Sequence, residues 1–165
     1  MNSGLQCLSN TTELARYFIF KYHLGEINRD NPLGMGGRLA KAYSSLMHDM
    51  YRGTQGSTAP WDLKKTLGSK VNRFAGYDQQ DSAEFVGFIV ELLHEDLNRV
   101  KKKPYIENSD EPNRPDEVVA KEYWDNFTAR NQSIIVDIMN GQFKSTVTCL
   151  TCSFVSTAFD PYTSI

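Results

Sequence analysis

The sequence predicts an α+β fold that is mainly helical and ends in a β-hairpin. Apolar residues recur with the helical period over most of the chain, the character of the sequence changes near Ile134, and two runs rich in threonine, valine and phenylalanine follow. Of the 165 residues, 40% are hydrophobic and 23% charged. This composition is typical of one globular domain with enough apolar material for a core.

Short helices and one loop are predicted for the first part of the chain. Residues 4–22 have a helical pattern that is broken once by polar residues, which offer caps. Residues 26–37 contain an Asn-Pro pair and three glycines, which favour a loop. An amphipathic pattern over residues 39–50 predicts a helix that stops at Gly53, and another short helix is predicted over about residues 60–74.

The strongest helical pattern runs over about residues 79–100. Its apolar stripe consists of Phe85, Phe88, Ile89, Leu92, Leu93, Leu97 and Val100. Asp78 is the predicted N-cap, and Asp81 and Glu84 lie early in the helix, where the helix dipole favours carboxylates. The sequence therefore predicts a long central helix.

The last third of the chain is predicted to change from loop to helix to strands. Residues 104–115 contain three prolines and little to bury, which indicates a surface loop, and a helix is predicted around residues 117–130. Residues 141–149 and 153–159 are predicted strands, joined at a turn that contains Cys149 and Cys152. This turn is the predicted tip of the hairpin.

Charge and hydropathy argue against several classes of partner. The 18 basic and 20 acidic residues are spread along the chain and give a net charge of −2, so nucleic acid is not expected as a partner. No apolar stretch is long enough to span a membrane, and no basic region leads into an apolar one as in a secretory signal. We therefore expect a cytosolic or nuclear protein with no membrane partner.

Cys149 and Cys152 have the spacing of a zinc knuckle, in which two thiolates bind one ion from a hairpin tip. They form half a site, because structural zinc takes four ligands and the three histidines lie on apparent helices with no spacing that ties them to the pair. A thioredoxin-type redox role would need a helix N-terminus. Two ordinary thiols remain the alternative to the zinc half-site.

Cys7 and the histidines are not expected to be catalytic. Cys7 lies inside the first predicted helix with no base beside it, so we expect a buried structural cysteine. His94 is expected on the helix surface or half-buried, because no cysteine or serine is placed to need it, and we expect the same of His23 and His48. Paired acids such as Asp81 and Glu84 can stabilise a helix or face a cationic ligand, and physics alone favours capping.

Three segments, in this order, resemble those of ubiquitin-specific proteases. Residues 1–10 (MNSGLQCLSN) resemble the tail of the family's cysteine box, and residues 76–85 (GYDQQDSAEF) resemble its glutamine and aspartate box. Residues 141–159 resemble the start of its zinc-binding fingers. Residues 28–34 (NRDNPLG) and 94–105 (HEDLNRVKKKPY) are similar to the subgroup whose catalytic domain follows a DUSP and a ubiquitin-like domain.

The resemblance implies a papain-like cysteine protease domain of which this chain is an incomplete part. Residues 1–132 would form the helical thumb and residues 133–165 the start of the fingers. Gln79 and Asp81 would lie on the channel that receives the ubiquitin tail, where a carboxylate suits arginines. Cys149 and Cys152 would supply half of a structural zinc site.

The resemblance also implies that the parent protein is a thiol-dependent deubiquitinase, with ubiquitin and ubiquitinated proteins as partners. In the family the nucleophilic cysteine would lie two residues before Met1 and the general-base histidine beyond Ile165. No catalytic residue is therefore expected in this chain, which we expect to be inactive by itself. The alternatives are a non-catalytic short form that binds ubiquitin and a zinc-dependent interaction module.

Overall fold

The computed structural model describes residues 2–54, 56–107 and 114–163. The helices of these residues are α1 (Asn2–Ser9), α2 (Thr12–Ile19), α3 (His23–Glu26), α4 (Arg38–Arg52), α5 (Trp61–Lys70), α6 (Ser82–Asp96), α7 (Asp116–Thr128) and α8 (Ile134–Met139). The strands are β1 (Gly141–Thr148) and β2 (Val155–Tyr162). The predicted mainly helical chain with a C-terminal β-hairpin is confirmed.

The hydrophobic core lies among α1, α2, α4, α5, α6 and α8. Helix α4 packs against α2, α5 and α6, and α6 also packs against α1 and α8. Aromatic rings fill the middle, as where Phe18 meets Tyr43 edge to face at 4.8 Å between ring centroids. The largest fully buried side chains are Tyr43, Phe18, Phe74, Leu14, Leu39, Met47, Leu63, Leu67, Ile89, Leu93, Leu97 and Ile135.

A buried carboxylate joins the end of α6 to the start of α4. Helix α4 begins after Gly37, which has a φ of 83° and no side chain with which to cap. Asp96 instead accepts hydrogen bonds from the backbone N–H groups of Leu39 at 3.1 Å and Ala40 at 3.2 Å, and from that of Met35 at 2.5 Å. Since the carboxylate is fully buried, these three donors replace its lost hydration.

Helix α6 ends at Asp96, four residues before the predicted end at Val100. Asn98 is the cause, because its side-chain oxygen accepts the Val100 N–H at 3.0 Å, a local bond that competes with the helix. The same oxygen accepts the Gln132 N–H at 3.2 Å, and the Asn98 amide donates to the Arg130 carbonyl at 3.2 Å. The chain thus leaves the helix to pair with the segment between α7 and α8.

Three further predictions of local structure need correction. The N-cap of α6 is Asp81 and not Asp78, and the helix starts at Ser82. Helix α5 ends at Lys70, and a separate 3-10 turn covers Asn72–Phe74. Helix α8 was not predicted, because the change in sequence character near Ile134 was attributed to strands. The predicted loop over residues 104–115 lies partly outside the described residues.

The two strands pair in antiparallel register and form a hairpin whose last pair is Thr148 with Val155. One face of the hairpin packs against α7, where Phe159 is buried and its ring lies 6.3 Å from that of Tyr123. On the opposite face, Phe143 stacks on Tyr162 with 4.1 Å between centroids. We call α7 with the two strands the α7–hairpin layer.

Candidate functional site

The start of α6 carries both residues that the resemblance assigned to the ubiquitin tail. Asp81 has an extended backbone conformation, and its Oδ1 accepts hydrogen bonds from the backbone N–H groups of Glu84 at 3.0 Å and Ala83 at 2.7 Å. These two donors hold the pKa of the Asp81 carboxyl below its usual range. The side chain is exposed, so a charged carboxylate faces solvent at neutral pH.

The capping of α6 leaves part of Asp81 available to a ligand. Both of its recorded hydrogen bonds use Oδ1, and none within the described part of the chain uses Oδ2. Gln79 lies two residues earlier in the non-helical approach to α6 and is also exposed. Asp81 can therefore cap α6 with one carboxylate oxygen and face a ligand with the other.

Two cationic side chains lie near the start of α6, and each contacts another side chain. Lys64 Nζ lies 3.7 Å from the centroid of the Tyr77 ring, and that tyrosine is 86% exposed. Arg73 forms an ion pair with Glu84 and lies 5.9 Å from the centroid of the Phe88 ring. Lys64 and Arg73 therefore contact other side chains. Among the described residues, neither forms an ion pair with Asp81.

A groove of about 910 Å³ begins at the first turn of α6 and runs between α1, α6, α7 and α8. Small residues shape its wall, since a Cβ atom at Gly4 would come within 2.7 Å of the Val86 side chain where α1 meets α6. Much of its lining is apolar. The residues that line it include Gly4, Cys7, Ala83, Val86, Gly87, Val90, His94, Phe127 and Ile135.

Cys7 is exposed and lines this groove, so the prediction that it is buried is wrong. Its neighbours Leu5 and Leu8 turn to the core and occupy the buried face of α1, which leaves Cys7 on the other face. No hydrogen bond to the Cys7 thiol is found among the described residues. That Cys7 has no catalytic role stays a prediction.

His94 also lines the groove, where it is half-buried as predicted. Its Nδ1 lies 2.8 Å from the hydroxyl oxygen of Ser133, and its Nε2 lies 3.3 Å from Oδ1 of Asn131. Burial lowers the pKa of His94, and nearby Glu95 acts in the opposite direction. Because both ring nitrogens are engaged by α8 and its approach, His94 serves as a structural contact between helices.

His23 differs from its prediction, which expected a helix-surface or half-buried residue. It is 2% exposed, and its ring lies 5.1 Å from that of Phe18 and 6.4 Å from that of Tyr17. His48 is exposed on α4, in agreement with the prediction. The prediction is therefore wrong about the burial of His23, and the absence of a catalytic role for the histidines stays a prediction.

Cys149 and Cys152 lie at the exposed tip of the hairpin. The Ser153 N–H donates to the Cys149 carbonyl at 2.9 Å, and Ser153 has a left-handed φ of 57° that closes the turn. Backbone N–H groups of Cys152 and Thr151 donate to the Cys149 sulfur and lower the pKa of that thiol. Two thiols on one tight turn fit two of the four positions of a structural zinc site.

The described residues contain no group of three or more His, Cys, Asp and Glu side chains placed to hold a metal ion. The cysteine pair and the residues at the start of α6 lie on separate elements, so they form two sites. No helix in residues 2–54, 56–107 or 114–163 is long and apolar enough to cross a membrane.

Comparison with known proteins identifies the family. Residues 1–161 match the family described as ubiquitin carboxyl-terminal hydrolase. The chain belongs to this family, which comprises deubiquitinases, and the predicted resemblance is confirmed.

Relatives with high sequence identity include three numbered hydrolases. Ubiquitin carboxyl-terminal hydrolase 4 of Mus musculus is 54% identical over 98% of this chain, and ubiquitin carboxyl-terminal hydrolase 32 of Homo sapiens is 50% identical over 98%. Ubiquitin carboxyl-terminal hydrolase 15 of Xenopus tropicalis is 49% identical over 98%. The chain spans only 17%, 10% and 16% of these relatives, respectively.

Two solved structures share the fold. A chain of the SAGA DUB module with Ubp8, Sgf11, Sus1 and Sgf73, bound to monoubiquitin, matches with a TM-score of 0.63 and 22% identity over 98% of this chain and 31% of that chain. The same module bound to ubiquitin aldehyde matches with a TM-score of 0.61, 22% identity and the same coverage. The predicted fold class is thereby confirmed.

Proposed function

We propose that this chain is part of a deubiquitinase that hydrolyses peptide and isopeptide bonds at the C-terminus of ubiquitin. The observation that carries the proposal is the family match over residues 1–161, supported by 54% identity to a named hydrolase across 98% of the chain. The partners of the whole protein would be ubiquitin and ubiquitinated proteins. Its cytosolic or nuclear location stays a prediction.

Within that protein, the start of α6 would bind the ubiquitin tail through Gln79 and Asp81. A carboxylate that is charged at neutral pH, with one oxygen bonded to the helix and the other without a hydrogen bond among the described residues, is suited to a cationic side chain. The groove that begins at the same turn gives an extended chain a place to lie. The division into a thumb over residues 1–132 and the start of the fingers over residues 133–165 also stays a prediction.

The chain by itself would bind without cutting. Among the described residues, no hydrogen bond reaches the Cys7 thiol, and both ring nitrogens of His94 lie within hydrogen-bond distance of Ser133 and Asn131. Acyl transfer by a thiol requires a nucleophile, a base and an oxyanion donor in mutual contact. We therefore expect no cleavage of ubiquitin esters or amides by the isolated chain.

Nuclear magnetic resonance titration of the isotope-labelled chain with ubiquitin tests the tail site. We expect saturable shifts in the backbone amides of Gln79 and residues 81–84, and we expect them to disappear with ubiquitin whose C-terminal tail has been removed. Asp81→Asn keeps a capping oxygen but removes the charge, so it should weaken binding while the chain stays folded. Asp78→Asn makes the same change at an exposed aspartate outside the cap. Equal binding by both variants, or shifts confined to other surfaces, would overturn the tail site.

We infer further that Cys149 and Cys152 supply two ligands of a structural zinc site. The geometry of the turn and the amides directed at the Cys149 sulfur support this reading. When bound, zinc would tie the hairpin tip to whichever chain supplies the other two ligands. We expect weak or no zinc retention by the isolated chain in metal analysis after gel filtration, whereas a zinc-dependent interaction module would retain one equivalent.

A further inference from the structure

A second cavity, of about 350 Å³, lies on the side of the helical core where the segment between α2 and α3 faces α4. We call it the basic cleft. Its lining combines cationic, imidazole and hydroxyl side chains. The residues are Lys21, His23, Leu24, Lys41, Ser44, Ser45 and His48.

One wall of the basic cleft is a single face of α4. Lys41, Ser45 and His48 follow each other at intervals of four and three residues, so their side chains project from the same side of the helix. All three are exposed. Ser44 beside them donates to the Phe18 carbonyl at 3.3 Å and so ties α4 to the end of α2. This wall therefore presents an ammonium, a hydroxyl and an imidazole from a rigid element.

The other wall contains a buried imidazole with an unsatisfied nitrogen. His23 is 2% exposed, and Phe18 covers its ring at 5.1 Å between centroids. Its Nδ1 has no hydrogen-bond partner among the described residues. Leaving a polar nitrogen buried and unpaired is unfavourable, because the nitrogen has lost its hydrogen bonds to water. The basic cleft is the cavity that His23 borders.

The charge around the basic cleft is positive, and the residues that line it include no carboxylate. Burial is the largest cause of the lowered pKa of His23, and the charges of Lys21 and Lys41 lower this pKa further. No carboxylate is among the causes that act on it. Glu26 follows closely in the chain but accepts from the Tyr17 hydroxyl at 2.7 Å and pairs with Arg99 at 3.0 Å. The carboxylate of Glu26 is therefore already occupied away from the two lysines.

A second carboxylate that is close in sequence, that of Asp49, does not line the basic cleft. Asp49 adjoins His48 in sequence, but it lines a different cavity, together with Asn2 and Gln6 of α1. A cluster of cations without a carboxylate is notable in a chain whose net charge is −2. The mutual repulsion of Lys21 and Lys41 would be relieved by an anion placed between them.

We propose that the basic cleft binds a phosphate-type oxyanion, either free or as a phosphomonoester. Lys21 and Lys41 supply charge, and the hydroxyl of Ser45 and the imidazole of His48 supply donors. These four side chains are exposed and line the cleft, whereas Nδ1 of His23 is buried and is not counted among the donors. The basic cleft shares no lining residue with the proposed tail site at Gln79 and Asp81, so variants can test the two sites separately.

Titration of the chain with inorganic phosphate at constant ionic strength, set with sodium chloride, tests the proposal. The carbon-bound ring protons of His23 and His48 report directly on the cleft in nuclear magnetic resonance spectra. We expect saturable shifts with phosphate and none when chloride replaces it. Lys41→Glu should weaken phosphate binding at least tenfold, and Lys65→Glu, the same charge change at an exposed residue of α5, should leave it unchanged.

A second variant distinguishes weaker phosphate binding from loss of folding. Lys21 has a left-handed φ of 62°, which glycine adopts without strain, so Lys21→Gly removes a cation while favouring the existing backbone. It should also weaken phosphate binding. Non-saturating shifts, or equal affinities for the Lys65→Glu variant and for both cleft variants, would overturn the proposal.

Two peptides distinguish the source of the phosphate. If the natural ligand is a phosphorylated protein segment, a phosphoserine peptide should bind more tightly than inorganic phosphate, and its unphosphorylated form should not bind. If the ligand is free phosphate, the phosphopeptide should bind no more tightly than the inorganic anion. Either result upholds the site, whereas binding of the unphosphorylated peptide with equal affinity would contradict recognition of an oxyanion.

Discussion

The helical core and the α7–hairpin layer are held together by different means. The core buries apolar side chains from six helices and adds a buried carboxylate, Asp96, that three backbone amides satisfy. In the α7–hairpin layer, the buried residue among those described is Phe159, and α7 itself contributes none. The helical core therefore contributes most of the free energy of unfolding, whereas the α7–hairpin layer packs on its outside and contributes little. The groove lies where the two regions meet.

The largest difference between the regions should appear when apolar side chains are truncated. Leu93 is fully buried, so Leu93→Ala should lower the free energy of unfolding by about 3 kcal/mol. Val147 in β1 is 66% exposed, and Val147→Ala should change it by less than about 0.5 kcal/mol. Urea unfolding of both variants measures the contrast. Similar losses would show that the hairpin is part of the cooperative core.

A smaller loss is expected when the carboxylate of the core is removed. Asp96→Ala would leave the amides of Met35, Leu39 and Ala40 without their acceptor, at a cost of about 2 kcal/mol. The exposed Asp30 offers a matched control, because Asp30→Ala removes the same charge from a position without a recorded hydrogen bond. Thermal unfolding of the two variants tests the comparison, and equal melting temperatures would mean that Asp96 contributes nothing as a cap.

Acidification should lower the free energy of unfolding through the half-buried His94. Burial lowers the folded-state pKa of His94 below its unfolded value near 6.5, so the stability that the neutral ring allows is present above about pH 6.5 and is lost as pH falls through the folded pKa. One such proton changes the free energy of unfolding by at most about 1.4 kcal/mol per pH unit. His94→Gln should flatten this dependence in urea unfolding below pH 6.5, and His48→Gln, on the exposed face of α4, should not.

The smallest effect on stability, with a larger one on solubility, is expected in the hairpin. The sheet of the described residues has two strands, so each strand has an unpaired edge, and Phe143 and Val147 add an exposed apolar face. Val147→Lys should slow aggregation, measured by light scattering on warming, and change the free energy of unfolding by less than about 0.5 kcal/mol. Thr146→Lys, on the face toward α7, is the matched control for added charge.

The helical periodicity predicted most of the core because its signal is local. The stripe over residues 79–100 and the two strand-like runs correspond to α6, β1 and β2 within a few residues. The N-cap could have been found as well, since Asp81 precedes Glu84 by the spacing of a capping box. Asp78 was chosen because the predicted helix started three residues too early.

What the sequence could not predict depends on distant contacts. The bonds of Asp96 to the start of α4 join residues more than fifty positions apart, and no local pattern marks them. The exposure of Cys7 follows from which face of α1 meets α6, which periodicity in an eight-residue helix does not settle. The proposal that Gln79 and Asp81 form the tail site rests on resemblance to the family motifs, because exposed side chains have no packing signature.

The hydrogen bonds from α4 to Asp96 should also affect the rate of amide hydrogen exchange at the start of α4. The first amides of a helix normally exchange with solvent through fraying, because they lack partners within the helix. Those of Leu39 and Ala40 are instead bonded to a residue at the far end of α6. Their hydrogen exchange should therefore require α4 and α6 to separate, and the two helices should protect and release these protons as one cooperative unit.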